Sequence, residues 1–438
     1  MKKAVDSGKL IVDRNLDARR KTQGAGFLLG LTLMSGFAGA QEINYPDLPP
    51  FAQVKNALSE HLLVLNATSS LKMEHANQHR WESGNYEFTL RAGSSQRRIG
   101  NTGMTMKEWD VALERPVRLP DKVGIDQDIG AASVERAEFA LGDARHEASR
   151  QLLKLWFGWQ REMTQATLWQ QQVAILEQQA VITDKRVKAG DAPRLEYNQA
   201  QAAAAQAGVS WHQAQMRAQL AGNDLARSFP SIQLPEKLQL TVPEPIDHDL
   251  KYWESLIVED NHELGMVEAQ SHVQQLLAQR SRADQIPDPT IGVRFANEMG
   301  GNEKITGVYL MVPLSSGHRS AIADSVEQQA AIAADQAAFV RQRLKRDVYA
   351  AFFQARKNFD TWQMAHDAAL AIRSNAELVA RAYQLGEASL GESLTARRLA
   401  LESSLTENLT QLDANEAHYR LLLDAHQLWA QDEAHAPH

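Results

Sequence analysis

Arg186-Val-Lys-Ala-Gly190-Asp-Ala-Pro193-Arg-Leu-Glu196-Tyr-Asn-Gln-Ala200 and Ala382-Tyr383-Gln-Leu-Gly386-Glu-Ala-Ser389-Leu-Gly-Glu392-Ser-Leu-Thr-Ala396 are two versions of one segment. Gly190 matches Gly386, Glu196 matches Glu392 and Ala200 matches Ala396, all at a separation of 196 residues. In each version a helical stretch runs into the glycine, which reads as a helix stop, and a second helical stretch leaves after it. Two further landmarks keep nearly the same separation. Glu114-Arg-Pro116-Val-Arg-Leu pairs with Met311-Val-Pro313-Leu-Ser-Ser at 197, and Trp156-Phe157 falls opposite Phe352-Phe353 at 196. Landmarks that recur at one spacing indicate an internal duplication.

Working outward, each copy has the same order of parts. A helix with apolar residues at helical spacing comes first, about Phe51 to Ser83 and about Tyr252 to Gln285; Val54, Leu58, Leu62 and Leu65 illustrate the period. Two short strands follow. A very long helix then runs from near Asp121 to Ala189, or from near His318 to Leu385, 69 and 68 residues. At 1.5 Å per residue each is about 100 Å long. After the glycine turn a half-length helix returns, about Arg194 to Ser228 and Glu392 to Trp429. The proline-rich stretch Phe229 to Asp247 links the copies. The expected organisation is residues 1–40 as a signal peptide, 41–245 and 246–430 as the two repeats, and 431–438 as a flexible tail. Long helices rich in Ala and Gln pack lengthwise as coiled coils rather than as a compact globule.

The composition is compatible with that reading. The chain has 438 residues, 44% hydrophobic and 23% charged, and no cysteine. Disulfides, thiolate metal sites, thiol catalysis and a lipidated N-terminal Cys are therefore excluded. Arg19, Arg20 and Lys21, the apolar stretch Phe27 to Met34 and Ala38-Gly39-Ala40 before Gln41 form a secretory signal, with residues 1–18 as an overlong start. The other reading of that stretch, a transmembrane anchor, has to accommodate its short length and Gly30, Gly36 and Gly39. The first forty residues carry seven basic and three acidic side chains, so the net charge of −8 for the whole becomes −12 for the remainder. Such an acidic chain repels nucleic acid and tolerates cations.

Past Gln41 no uncharged apolar run approaches the roughly 18 residues of a spanning helix, so a membrane could be crossed only with β-strands. Tyr86-Glu-Phe88-Thr-Leu90-Arg-Ala92, Trp109-Asp-Val111-Ala-Leu113-Glu and Ile291-Gly-Val293-Arg-Phe295 alternate apolar and polar residues, as membrane-barrel strands do. Thr306 to Val312 is apolar on both sides. The polar, glycine-containing stretches Gly93 to Lys107 and Asn297 to Lys304 read as loops. Four strands cannot close a barrel, and lipid forbids an open edge. Three chains would supply twelve strands, wide enough for a water-filled lumen.

On these features the chain resembles the TolC-type outer-membrane efflux proteins over essentially all of its length after the signal. The resemblance rests on the order of helix, hairpin, long helix, glycine turn and half helix, seen twice. It rests also on Tyr383-x-x-Gly386-Glu-x-Ser389-Leu390 and its echo around Gly190. It implies a mainly α fold with a small β part: a homotrimer with a twelve-stranded outer-membrane barrel and a long helical barrel extending into the periplasm. Its implied partners are outer-membrane lipid, a periplasmic adaptor (membrane fusion) protein and a proton-driven inner-membrane pump. Its implied role is a passive exit duct, with no enzymatic activity and no cofactor. Leu113-Glu-Arg-Pro116-Val-Arg-Leu-Pro120-Asp-Lys and Gln151-Leu-Leu-Lys-Leu-Trp156-Phe157 resemble the branch that exports cobalt, zinc and cadmium, which implies divalent heavy-metal cations as cargo.

The resemblance also implies site residues. The glycine turns form the periplasmic tip that meets the adaptor, with Arg186, Lys188, Gly190, Asp191, Gln384, Gly386 and Glu387 as contacts. Tyr383 matches a tyrosine that helps hold a closed gate, while Ala388 stands where the family has a basic gate partner. Glu392 matches an acidic lumen position; three copies would form a carboxylate ring that favours cations, and Thr395 replaces the second acidic position.

Away from the resemblance, His75 and His79 are spaced i,i+4 on one helix face, with Glu74 and Glu82 nearby, the spacing of a zinc pair. No third protein ligand is evident and structural zinc usually needs four, so two exposed polar residues are the preferred reading of the spacing. Trp156, Phe157 and Trp159 read as helix packing. No metalloprotease, nucleophile-elbow or phosphate-loop motif emerges. The competing readings are the same channel serving drug or protein export, a pore-less periplasmic coiled-coil scaffold, and an enzyme on a helical frame.

Overall fold

The computed structural model describes residues 45–314 and 316–429, so the expected signal peptide and tail lie outside the described residues. The chain runs α1 (Phe51–Glu60), α2 (Leu62–Ser83), β1 (Thr89–Arg98), β2 (Thr105–Pro116), α3 (Pro120–Ala189) and α4 (Arg194–Ser228). It then repeats itself as α5 (Leu250–Glu259), α6 (His262–Ala283), β3 (Thr290–Glu298), β4 (Glu303–Met311), α7 (Gly317–Leu385) and α8 (Leu390–Asp424). The helices match pairwise in length: 10 and 10, 22 and 22, 70 and 69, 35 and 35 residues. The duplication read from the sequence is thus a duplication of structure.

Several boundaries differ from expectation. Each opening helix is two helices. His61, at ψ 136°, breaks the first and accepts from Leu63 N, and Asn261 caps the second by accepting from Leu264 N at 2.9 Å. Apolar periodicity continues across both breaks, so pattern alone does not reveal them. Most of the expected loop from Gly93 to Lys107 is strand, because backbone pairing continues from Arg98↔Thr105 through polar residues. The second hairpin turns more tightly than expected, through the 3-10 turn Met299–Gly301. The last helix ends at Asp424, not Trp429: His426 takes φ 57°, and Gln427 N bonds back to Leu422 O at 2.8 Å. A histidine in the left-handed region carries no glycine-like signal.

α3 and α4 form one long antiparallel hairpin, and α7 and α8 form the other. Their seams are built from small side chains at seven-residue intervals. Ala200, Ala207 and Ala214 are buried on α4; Ala323, Ala330, Ala337 and Leu344 are buried on α7, followed by Ala369, Ala376 and Tyr383. That heptad spacing keeps one face of each helix against its neighbour over the whole length. The principal core lies midway along the helices. There Trp156, Phe157 and Trp159 pack with Leu152, Leu225, Phe229, Leu412 and Leu421. Asp47 stitches this region together: Tyr419 Oη donates to its Oδ1 at 2.7 Å, Thr241 Oγ1 to its Oδ2 at 2.6 Å, and Trp156 Nε1 to its carbonyl at 2.8 Å.

The four strands form one antiparallel sheet in sequence order, β1-β2-β3-β4. Its register runs from Leu90 through Leu113 and Val293 to Val308, and from Ala92 through Val111 and Phe295 to Thr306. Side chains alternate faces along a strand, so these two rows share one face with Trp109, Ile291 and Leu310. That face is solvent-exposed over Leu90, Trp109, Leu113, Phe295, Val308 and Leu310. The opposite face carries Arg91, Arg97, Glu108, Asp110, Glu114, Arg294, Glu298 and Glu303. Arg97 Nε reaches Glu108 at 2.6 Å and its Nη2 reaches Glu298 at 3.0 Å, and Tyr309 reaches over Gly292 to donate to Glu114.

A buried ionic network joins sheet to helices. Lys122 is fully buried and holds Asp284 and Asp288 at 3.0 Å each, along with the Ile286 carbonyl at 2.8 Å. Arg118 and Arg280 converge on Asp126, at 2.9 and 2.5 Å. Among the described residues no helix is long and apolar enough to cross a membrane.

Candidate functional site at the helical tip

The two long hairpins turn at Gly190 and Gly386. Both glycines are left-handed, φ 82° and 81°. Around the first, Gly190 N bonds to Val187 O at 3.1 Å and Asp191 N to Arg186 O at 2.8 Å; around the second, Gly386 N bonds to Tyr383 O and Glu387 N to Ala382 O, at 3.1 and 2.9 Å. These paired bonds cap the last helical carbonyls. A Cβ at either glycine would meet open space, so the requirement is for the backbone angle alone. The duplicated motif therefore makes the same turn twice, at the same end of two adjacent hairpins.

What joins the hairpins is a cross-copy contact. Tyr383 ends the small-residue seam of α7 and packs against Ala200 of α4 and Leu390 of α8. Its hydroxyl donates to Glu196 Oε2 at 3.2 Å, and the Arg186 guanidinium lies 5.2 Å from its ring centre. Arg186 and Glu196 come from the first copy, Tyr383 from the second. The ring is 5% exposed, so the aromatic body is buried while its polar end meets a carboxylate near the surface.

Glu392, the second-copy counterpart of Glu196, is engaged differently. Its Oε2 accepts from Ser389 N and from Ser389 Oγ, both at 2.8 Å, and Ser389 Oγ accepts from Glu392 N at 3.2 Å. This is a reciprocal capping box at the start of α8. The Ser389 N–H holds the Glu392 carboxyl below the usual carboxylate range. Residue 193, opposite Ser389, is proline, and α4 starts without a side-chain cap. Proline offers neither a hydroxyl nor an N–H, which leaves Glu196 available to Tyr383.

The remaining tip residues are surface. Lys188, Gly190, Asp191, Gln384, Gly386 and Glu387 are exposed, and Arg186 is half-buried. Lys188 pairs with Asp184 at 2.6 Å. Two leucines that sequence reasoning passed over, Leu195 and Leu385, are 64% and 68% exposed beside these turns. Glu196 was also missed as a partner, although its match to Glu392 marked the position.

The histidine pair does not assemble into a metal centre. His75 and His79 are exposed, His79 Nδ1 lies 3.2 Å from Glu82, and Glu74 turns inward to Arg136 at 2.7 Å. Among the described residues no group of three or more His, Cys, Asp or Glu is placed to hold a metal ion.

No protein-family model matches this sequence, and no curated protein matches it. The fold does match solved structures. The outer membrane channel CmeC of Campylobacter jejuni superposes at TM-score 0.67 with 14% identity, over 87% of this chain and 86% of that one. The outer membrane protein VceC of Vibrio cholerae gives 0.68 with 14% identity, over 86% and 95%. The open state of the MtrE outer membrane channel of Neisseria gonorrhoeae gives 0.59 with 16% identity, over 85% and 88%. At these identities the shared property is the fold: long-helix hairpins plus a four-stranded sheet left open in a single chain.

Proposed function

We propose that this chain is the outer-membrane exit duct of a tripartite efflux system. Three copies close their sheets into a twelve-stranded barrel, their helices form a tunnel into the periplasm, and the glycine-turn tips dock a periplasmic adaptor that links the duct to a proton-driven inner-membrane pump. The observation that carries the reading is the division of the sheet. One face is an exposed apolar band, and the other holds five carboxylates and three guanidiniums. An open four-stranded sheet with such a band satisfies its edges and covers its apolar face only by closing with other copies inside lipid. The fold shared with solved outer membrane channels supports the same reading.

The duct conducts passively. The Tyr383–Glu196 contact is its gate: it ties the second hairpin to the first at the tip, and its release lets the hairpins part. Exposed Leu195 and Leu385 among polar neighbours suit a partner surface with small apolar sockets. For cargo we propose divalent heavy-metal cations, supported by the carboxylate excess on the polar face of the sheet and by the sequence resemblance around Pro116 and Trp156. In this fold those stretches also serve as sheet-to-helix junction and core.

The test is single-channel conductance of the detergent-purified protein in a planar bilayer, with its mass in detergent measured in parallel. A trimer with cation-selective openings is expected. A protein released by osmotic shock, monomeric and without conductance, would overturn the channel in favour of a periplasmic scaffold. Conductance without any preference for divalent metal would favour drug or protein export through the same duct.

A further inference from the structure

The charges on the sheet are sorted by face more strictly than barrel formation needs. Every acidic residue of the four paired strands, Glu108, Asp110, Glu114, Glu298 and Glu303, lies on the polar face. The apolar face has none. Its charged residues are all basic: Arg98, Lys107 and Lys304 toward the hairpin turns, and Arg115 at the opposite end. Arg115 is locally satisfied, donating to the Tyr86 carbonyl at 2.8 Å and lying 4.8 Å from the Phe88 ring centre.

The other three differ. Lys304 stands across from Asn297, in the row that contains Trp109; Lys107 is one row further out, and Arg98 one row beyond that. Rows are about 7 Å apart along a strand and strands about 4.8 Å apart across it, so neighbouring cations lie roughly 8–12 Å from one another. All three are exposed, and among the described residues none forms an ion pair with this chain. Arg97 is the internal contrast. One residue from Arg98 and pointing to the other face, it is held by Glu108 and Glu298. Of these two neighbouring guanidiniums, the inward one is neutralised and the outward one is unmatched.

Resting on the barrel reading above, we propose that Arg98, Lys107 and Lys304 form a basic collar that binds phosphate-bearing anionic lipid headgroups in the leaflet on the hairpin side. The occupant follows from complementarity. The cations border an apolar band at an exposed tryptophan, the usual level of headgroups, and flexible Lys and Arg stems lift their charges from acyl chains to phosphate. Absence of carboxylates from this face removes the repulsion an anionic leaflet would impose. Three copies would ring the barrel with nine such cations and orient it, because the opposite rim offers only the stacked Arg115.

The test titrates the detergent-purified assembly with phosphatidylglycerol or with phosphatidylcholine of the same chains, counting bound lipid by native mass spectrometry. Wild-type protein is expected to prefer the anionic lipid. The triple substitution R98Q/K107Q/K304Q should lower that preference roughly ten-fold or more, at about five-fold for each basic residue fully engaged. R97Q should leave it unchanged. If the triple variant does not assemble, the three single substitutions are read instead, each expected to lower the preference several-fold. Equal uptake of both lipids by the wild type, or undiminished preference in these variants, overturns the collar. A chain that takes up neither lipid and fails to float with vesicles overturns the barrel reading itself, which keeps the two failures distinct.

Discussion

Removing one oxygen atom should open the tip. In Tyr383→Phe the ring keeps its place against Ala200 and Leu390, but the bond from the hydroxyl to Glu196 Oε2, 3.2 Å long, disappears. A hydrogen bond to a charged group contributes about 1.5–3 kcal/mol when fully buried. Glu196 is half-exposed, so about 1 kcal/mol per protomer is a fair figure after solvent screening. Three protomers that open together would lose about 3 kcal/mol from the closed state, and at 1.4 kcal/mol per factor of ten the open-to-closed ratio rises roughly 100-fold. Single-channel recording of wild type, Tyr383→Phe, Glu196→Gln and the double variant measures this directly. The two single variants should each raise open probability, and the double should rise little further, because both remove the same bond. An unchanged open probability in a correctly assembled Tyr383→Phe trimer would refute the gate, and fully additive effects would refute the bond as its basis.

Four other outcomes can be checked. His146 is buried beside Arg150 with Nε2 3.1 Å from the Leu423 carbonyl; burial, then Arg150, pushes its pKa from the usual 6.5 down to about 3. Its neutral form is the native one, so stability is intact above pH 6.5 and falls as pH drops toward 3. The loss at pH 5.5 is about 1.4 kcal/mol, and His146→Gln should flatten that part of the thermal-melt profile. Lys122→Met takes the buried ammonium from Asp288, which keeps Tyr86 Oη and Leu119 N as donors, while half-exposed Asp284 keeps Arg280, so it should cost about 1–3 kcal/mol in denaturant melts. Gly190→Ala and Gly386→Ala each force a side chain into φ near 80° in otherwise open space, so each should cost about 1–2 kcal/mol and no more. Pro193→Ser should give Glu196 the capping partner it lacks. The melt should then rise by about 1 kcal/mol while open probability rises too, and a stabilised variant with unaltered gating would contradict the competition for Glu196.

Much of the architecture was legible because it is periodic. The long helices and the return from Arg194 to Ser228 were read within a residue or two, since heptad alanines and left-handed glycines leave local signatures. The strands were harder. Residues such as Ser94, Ser95 and Gln96 have no strand character of their own, and they are strand because Trp109, Glu108 and Lys107 pair with them. The breaks at His61 and Asn261 were hidden for the opposite reason: the apolar period runs straight through them. At the tip, sequence placed Tyr383 correctly beside the turn but could not supply its partner. That partner lies 187 residues away, on the other hairpin, and only the packing of the two hairpins brings it near.

The difference between Glu196 and Glu392 shows how a duplicated chain can build an asymmetric device from a symmetric motif. Both glutamates sit six residues after a left-handed glycine, at the third position of a helix. The residue at the helix cap decides what each carboxylate does. Ser389 supplies an N–H and a hydroxyl, so Glu392 folds back onto its own helix and its charge is spent on capping. Pro193 supplies neither, so Glu196 is free to reach across to Tyr383. The tyrosine is asymmetric as well, because its first-copy counterpart is Val187, which has no hydroxyl to return the bond. Each copy therefore carries half of one contact, acceptor in the first and donor in the second. A contact made this way acts only between the copies. On the gate proposed above, parting the hairpins requires breaking this one cross-copy contact and none of the seams within each hairpin.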